Sequence, residues 1–150
     1  MKKKKKVHLG CVGWREWVSF PELDIQTIKA KIDTGARTSA LHVSNIKINR
    51  QNNKVSFTIH PAQRQHFPVV KASALMVDER PIKSSNGESS IRPVIKTKLK
   101  VGTQIYDIEL TLVNRDVMGF RLLLGRSAVK GHYLVNPGQS FLLKNTINER

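Results

Sequence analysis

Two alternating runs that meet at Gly102-Thr103 constrain this chain more than any other stretch of it. If Gly102 opens a two-residue turn, Lys98 faces Asp107 and Lys96 faces Glu109, while Leu99 meets Tyr106 and Ile95 meets Leu110. Charges of opposite sign and apolar side chains are then matched in one register. A slip of one residue would destroy both sets of matches, because side chains in a strand alternate faces. A second hairpin follows from Val55, Phe57 and Ile59, which alternate with polar residues after the turn-forming run from Asn49 to Asn53, with Ile46 and Ile48 on the first arm. The expected fold class is all-β.

A third alternating run, Ile28, Ala30 and Ile32 set against Lys29, Lys31 and Asp33, reads as a half-buried strand that delivers Asp33 to a turn. Gly35 lets another chain approach closely, and the Thr34 hydroxyl can donate and accept beside the acid. Such a loop fixes a carboxylate instead of merely displaying it. The plainer alternative is an aspartate that only initiates a turn. At 150 residues and 39% hydrophobic content the chain supports one core, burying roughly 68–70% of its unfolded surface. Residues 10–150 are expected to form one domain behind a basic, disordered tail at 1–9. Tyr133 to Val135 and Ser140 to Leu143 read as short closing strands.

Asp33-Thr34-Gly35-Ala36 after an apolar strand resembles the active-site loop of aspartic proteases. Leu122-Leu123-Leu124-Gly125-Arg126 resembles the element with which retroviral-type proteases, the retropepsins, support that loop. With Gly13-Trp14-Arg15-Glu16, the run from Lys31 to His42 and Arg92-Pro93-Val94, these motifs look like a bacterial retropepsin-like family often labelled "ATP-dependent zinc protease". The likeness runs from about Gly10 to Leu143. It implies a closed, barrel-like all-β fold with one short helix after the Gly-Arg element. It also implies Asp33 as catalytic acid, Thr34, Gly35, Ala36 and Arg37 as the active-site loop, and Leu124, Gly125 and Arg126 as its support.

Pepsin-like enzymes carry two acid loops in one chain, whereas this chain has one Asp-Thr-Gly and no internal repeat. An enzyme of this kind must therefore be a homodimer, with Asp33 of each protomer meeting at a two-fold axis. The resemblance further implies a cover over the acids. The small, polar run Lys83 to Ser90 is the candidate flap, with Ser84, Ser85, Asn86 and Gly87 at its tip. A solvated surface loop is the alternative. One departure stands out: retroviral enzymes usually place an acid directly after Asp-Thr-Gly-Ala, paired with the Arg of the Gly-Arg element, and here that place is Arg37. That ion pair cannot form, and a cation so near the acids predicts activity weighted to acidic pH. The interval from Asp33 to Gly125 is also longer than in the retroviral enzymes, so extra strands or a larger flap must fill it.

The zinc of the label finds no pattern in the sequence. His8, His42, His60, His66 and His132 show no His-Glu-x-x-His spacing, and Cys11 stands alone. A Gly-rich phosphate loop is likewise missing, so no cofactor is expected. The net charge is +15, from 26 Lys and Arg against 11 acids, and Lys2 to Lys6 supply a third of it. Such a field attracts acidic protein segments, nucleic acid or anionic membrane surfaces. Aromatics make up 6% of the chain and interleave with charge only at Trp14-Arg15-Glu16-Trp17, so an acidic peptide substrate is expected and nucleic acid is not. Trp14 and Trp17 signal packing.

No run is long enough to span a membrane, and Val7 to Gly13 is too short and polar for a signal peptide, so the cytoplasm is expected, or the periplasm if a native leader has been removed. The family resemblance associates relatives with ATP-grasp enzymes that ligate glutamate onto proteins, which makes such a ligase a possible partner. Two other functions stay open: a non-catalytic basic module that binds peptides or regulates that ligase, and, with less support, a metal-dependent peptidase.

Overall fold

The computed structural model describes residues 9–62, 69–83, 87, 89–114 and 119–143. The basic tail expected at 1–9 lies outside these residues except for Leu9. In chain order the elements are β1 (Gly10–Gly13), β2 (Arg15–Phe20), a 3-10 turn (Pro21–Leu23), β3 (Ile25–Ile32), β4 (Ser39–His42), β5 (Ser44–Asn49), β6 (Lys54–Ile59) and β7 (Val70–Lys83). They continue with β8 (Ser89–Val101), β9 (Gln104–Val113), β10 (Leu122–Leu124), α1 (Arg126–Val129) and β11 (Tyr133–Asn136).

The main sheet runs in the order β2-β3-β10-β4-β9-β8-β7-β6-β5, and a further pairing of Ser19 with Lys100 brings β8 back to β2. Six strands, β2, β3, β10, β4, β9 and β8, thereby close into a barrel, and β7, β6 and β5 extend the sheet beyond it. The fold is the retropepsin-like all-β architecture, with α1 directly behind Gly125. Closure follows from the strand patterns. Ile28, Ala30 and Ile32 on β3 alternate inward, as do Val18 and Phe20 on β2, and they meet Leu99, Leu110, Leu112, Leu122 and Leu124 in the barrel core.

The Gly102-Thr103 hairpin forms in the expected register. Lys96 pairs with Glu109, Lys98 with Asp107, Leu99 with Tyr106 and Ile95 with Leu110, and Gly102 takes a left-handed φ of 58°. The second hairpin also forms, with Ile48 opposite Val55 and Asn49 opposite Lys54. Its strands are part of what fills the long interval between Asp33 and Gly125. The apolar run that begins near Val69 becomes a longer arm than its apolar part, because β7 stays paired with β8 from Met76 opposite Ile95 to Lys83 opposite Ser89.

One expected strand does not form. Tyr133–Asn136 pairs in parallel with Gly10–Gly13, but Ser140 to Leu143 lie outside any strand. The backbone leaves extended geometry at Phe141, whose φ is +55°, and the amides of Leu142 and Leu143 donate to the carboxylate of Glu16 instead of to a ladder.

Candidate active site

β3 ends at Ile32, and the next residue is fixed from two sides. The amide of Ile32 donates to the carbonyl of Trp14 at 2.8 Å, and the amide of Asp33 donates to the carbonyl of Leu124 at 2.8 Å. β10 runs parallel to β3, with Leu124 opposite Ile32, and antiparallel to β4, with Leu122 opposite Leu41. The two strands on either side of the acid loop are thus separated by β10, and the loop from Asp33 to Thr38 must span the width of that strand. Within it, Gly35 N–H donates to Asp33 Oδ1 at 3.1 Å and Ala36 N–H to the Asp33 carbonyl at 3.1 Å. Asp33 is half-buried, and Thr34 and Gly35 are exposed at the loop's crest.

The Gly-Arg element holds this loop along its length. Arg126 Nη1 donates to the carbonyls of Thr34 at 2.9 Å and Gly35 at 3.4 Å, and its backbone N–H donates to the Ala36 carbonyl at 2.8 Å. Ser127 adds two donors, N–H at 3.1 Å and Oγ at 2.8 Å, both to the carbonyl of Arg37. Arg126 therefore binds the loop through backbone carbonyls where an acid side chain is missing. Gly125 is buried, its N–H donates to Ser39 Oγ at 3.0 Å, and a Cβ there would sit 2.5 Å from the Thr38 carbonyl oxygen. Leu124 is fully buried beneath. The structure thus brings together every residue singled out for the loop and its support.

Several residues of this frame carry no obvious signal in the sequence. Ser39 and Ser127 are ordinary serines until the fold sets them beside Gly125 and Arg37. Glu16 had one available cue: it shares the inward parity of Val18 and Phe20, which is an unusual place for an acid. It is fully buried, and its carboxylate accepts from Gly13 N–H at 2.7 Å, Leu142 N–H at 2.8 Å and Leu143 N–H at 3.2 Å. The neighbouring aromatics pack as expected. Trp14 meets Phe120 edge-on at 5.9 Å, Trp17 stacks on Phe141 at 5.9 Å, and the Arg15 guanidinium lies 4.6 Å over Trp14 and 4.9 Å over Phe141.

A cavity of about 680 Å³ opens beside the loop, lined by Arg37 and Thr38, by Ser127 of α1, by Arg80 of β7 and by 107–109 of β9. The arm that carries Arg80 belongs to the long β7–β8 hairpin. Of the candidate flap, Ser84, Ser85 and Asn86 lie outside the described residues, whereas Gly87 is exposed with a φ of +86°. Among the described residues, no three His, Cys, Asp or Glu side chains converge as a metal site, and no helix is long and apolar enough to cross a membrane.

The sequence model of the RimB-like family, described as retropepsin-like aspartic endopeptidase RimB, matches residues 11–146. The chain belongs to this family. RimB-like sequence also occurs in longer proteins: this chain is 45% identical over 134 residues to a protein of Shewanella pealeana and 46% identical over 128 residues to one of Desulfotalea psychrophila, both named "Probable alpha-L-glutamate ligase". Those alignments cover 88% and 84% of this chain but 29% and 28% of the relatives, so the chain spans less than a third of their length. The RimB-like fold is shared by a crystal structure of a Legionella pneumophila protein of unknown function, at a TM-score of 0.72 and 28% identity, covering 90% of this chain and 98% of that one.

Proposed function

We propose that this RimB-like chain is an aspartic endopeptidase that works as a homodimer, with Asp33 of each protomer forming the catalytic pair. The observation that carries the reading is the loop itself. An exposed crest, Thr34-Gly35, is held by Arg126, the Arg37 end of the loop is held by Ser127, and the acid at the loop's start is anchored between β3 and β10. Rigid placement of an acid is what general acid–base catalysis needs.

In the paired site, two carboxyl groups about 3 Å apart do not both ionise easily and share one proton. The ionised partner takes a proton from a water held between them, and the resulting hydroxide equivalent attacks the peptide carbonyl carbon. The protonated partner donates to the carbonyl oxygen as charge develops there. Collapse of the tetrahedral intermediate breaks the C–N bond, and a proton passes to the leaving amine. Water is the only co-reactant. The strongly basic surface favours acidic peptides as substrates.

Peptide cleavage by wild type, Asp33→Asn and chelator-treated protein across acidic to neutral pH, with sedimentation analysis of assembly, tests this. Loss of cleavage in the variant alone, in a dimeric protein, is the expected result. Activity that survives in Asp33→Asn overturns the reading, and loss with chelator transfers it to a metal-dependent peptidase.

A second reading is favoured by the names of the longer relatives: a module that regulates an ATP-grasp glutamate ligase. It predicts that Asp33→Asn leaves the effect of this chain on ligase turnover unchanged.

A further inference from the structure

The cavity beside the Asp33 loop is lined by two arginines, Arg37 and Arg80, and two acids, Asp107 and Glu109, and both acids already have cationic neighbours. Asp107 is engaged by Lys98 at 2.9 Å, and Glu109 lies 3.7 Å from Arg80. Arg37 contributes only its backbone carbonyl to the frame, accepting from Ser127, and its guanidinium has no ion-pair partner among the described residues. Arg80 is loosely held: Thr111 Oγ1 is 3.4 Å away, Glu109 3.7 Å and Asp78 3.9 Å, all at or beyond ordinary hydrogen-bond length. Directly opposite Arg80 on β8 stands Arg92. Like charges opposed across a strand pair are unfavourable, and the acids nearest Arg80, Glu109 and Asp78, stand 3.7 and 3.9 Å from it.

We infer that Arg37, at the base of the Asp33 loop, and Arg80, on the arm of the β7–β8 hairpin, together bind a carboxylate side chain of the substrate, which makes this cavity a specificity subsite. The inference rests on the peptidase reading and adds to it the residues that select the substrate. An arginine presents five donors in a planar fork that matches a carboxylate. One arginine comes from the loop that carries the acid and the other from the hairpin. A substrate carboxylate between them would tie the hairpin to the loop, giving acidic peptides tighter binding in a place set by the distance from Asp33. Arg92 reinforces the field from the same face of the hairpin without lining the cavity.

The test uses internally quenched peptides in matched sets, identical except for Glu or Gln at one position flanking the scissile bond, cleaved by wild type, Arg37→Gln, Arg80→Gln and the double variant. Wild type is expected to prefer Glu over Gln at one position by about tenfold or more in kcat/KM, the scale of one charge-assisted hydrogen bond. The preference should reside in KM. Each single variant should shrink that ratio and the double variant should abolish it, whatever happens to the absolute rate. Arg80→Glu should create a preference for Lys at the same position. Urea midpoints establish that the variants fold, and Arg37→Gln removes a side chain that makes no ion pair with the rest of the described protein.

A Glu-to-Gln ratio unchanged in the double variant overturns the subsite. If wild type cleaves no peptide, the peptidase reading fails separately. Anisotropy of fluorescein-labelled Glu and Gln peptides on wild type and the arginine variants then decides the subsite: a Glu preference lost with the arginines supports it, and equal binding of both peptides refutes it.

Discussion

Gly125 sets its bare α-carbon against the backbone of Thr38, close enough that a methyl group on it would lie 2.5 Å from the Thr38 carbonyl oxygen and 2.6 Å from its carbon. The neighbour is main chain, which cannot swing aside as a side-chain tip can. Gly125→Ala must therefore push α1 away from the loop or displace 36–38. We expect a loss of about 3 kcal/mol in urea unfolding, within the range for overpacked sites, with the thermal midpoint falling roughly 2–4 °C per kcal/mol. An unchanged midpoint would show that the loop and α1 are not in this contact.

Ser39 supplies the acceptor for the Gly125 amide, and both residues are buried. Ser39→Ala leaves that N–H without its partner in a place water does not reach. The cost should be about 1–3 kcal/mol, and Ser39→Thr, which retains the hydroxyl, should recover part of it. Hydrogen exchange at the Gly125 amide, faster in Ser39→Ala than in wild type at matched stability, reads the same bond directly.

Asp33→Asn should separate chemistry from stability. Among the described residues the Asp33 side chain accepts one hydrogen bond, from Gly35 N–H at 3.1 Å, and an asparagine Oδ1 can keep it. The loop's ties to Arg126 and Ser127 end on its own backbone carbonyls, which the substitution leaves in place. The variant is expected to unfold within about 0.5 kcal/mol of wild type while losing the proton-sharing pair that the proposed hydrolysis needs. A large loss of stability would mean that the acid serves the fold, which is the turn-initiating alternative.

The parts of this molecule that could be read from the sequence are those in which neighbouring residues carry the information. The register around Gly102-Thr103 is written in two adjacent strands, and the Asp33 loop is announced by the alternation just before it. The frame under that loop is written elsewhere. Ser39 meets Gly125 across 86 residues, and Glu16 meets Leu142 across 126. No periodicity reaches that far. Ser140 to Leu143 misled for the same reason: four residues of suitable composition look like a strand, but the amides of Leu142 and Leu143 are claimed by a distant buried carboxylate and that of Phe141 by the Arg15 carbonyl. Arg37 and Arg80 likewise share a cavity only because β7 turns back along β8 beside the loop.

Glu16→Gln tests that claim on the amides. A buried carboxylate with three backbone donors is replaced by an amide of the same shape, whose NH2 group cannot accept. At least one of the Gly13, Leu142 and Leu143 N–H groups loses its partner, at about 1.5–3 kcal/mol for a hydrogen bond to a charged group. Exchange at Leu142 and Leu143 should rise before global unfolding. Because the Trp14 amide donates to Gln139 while its carbonyl accepts from Ile32, loosening of 139–143 should reach the residue next to Asp33. Chemical-shift changes confined to 139–143, with Ile32 and Asp33 unmoved, would break that connection.

Alkaline unfolding should follow from two tyrosines. Tyr106 lies flat against His132, with ring centroids 3.6 Å apart, and donates to the Ala128 carbonyl at 2.5 Å; Tyr133 donates to the Val101 carbonyl at 2.6 Å. Burial pushes both phenols above the ordinary value of 10.0. Below that value both are protonated in the folded and the unfolded chain, so neither makes stability depend on pH. Above it the unfolded chain ionises first while the folded chain holds its protons, so stability is lost as pH rises through the raised folded values. Lys98, raised chiefly by its hydrogen bond to Asp107, acts in the same direction, but its side chain is about half open to solvent and the pair is screened. Urea midpoints measured from pH 8 to 11 should be level at first and then fall above about pH 10. Tyr106→Phe, although less stable at pH 8 for want of its bond to Ala128, should fall less steeply; an identical slope in the two proteins would place the alkaline transition elsewhere.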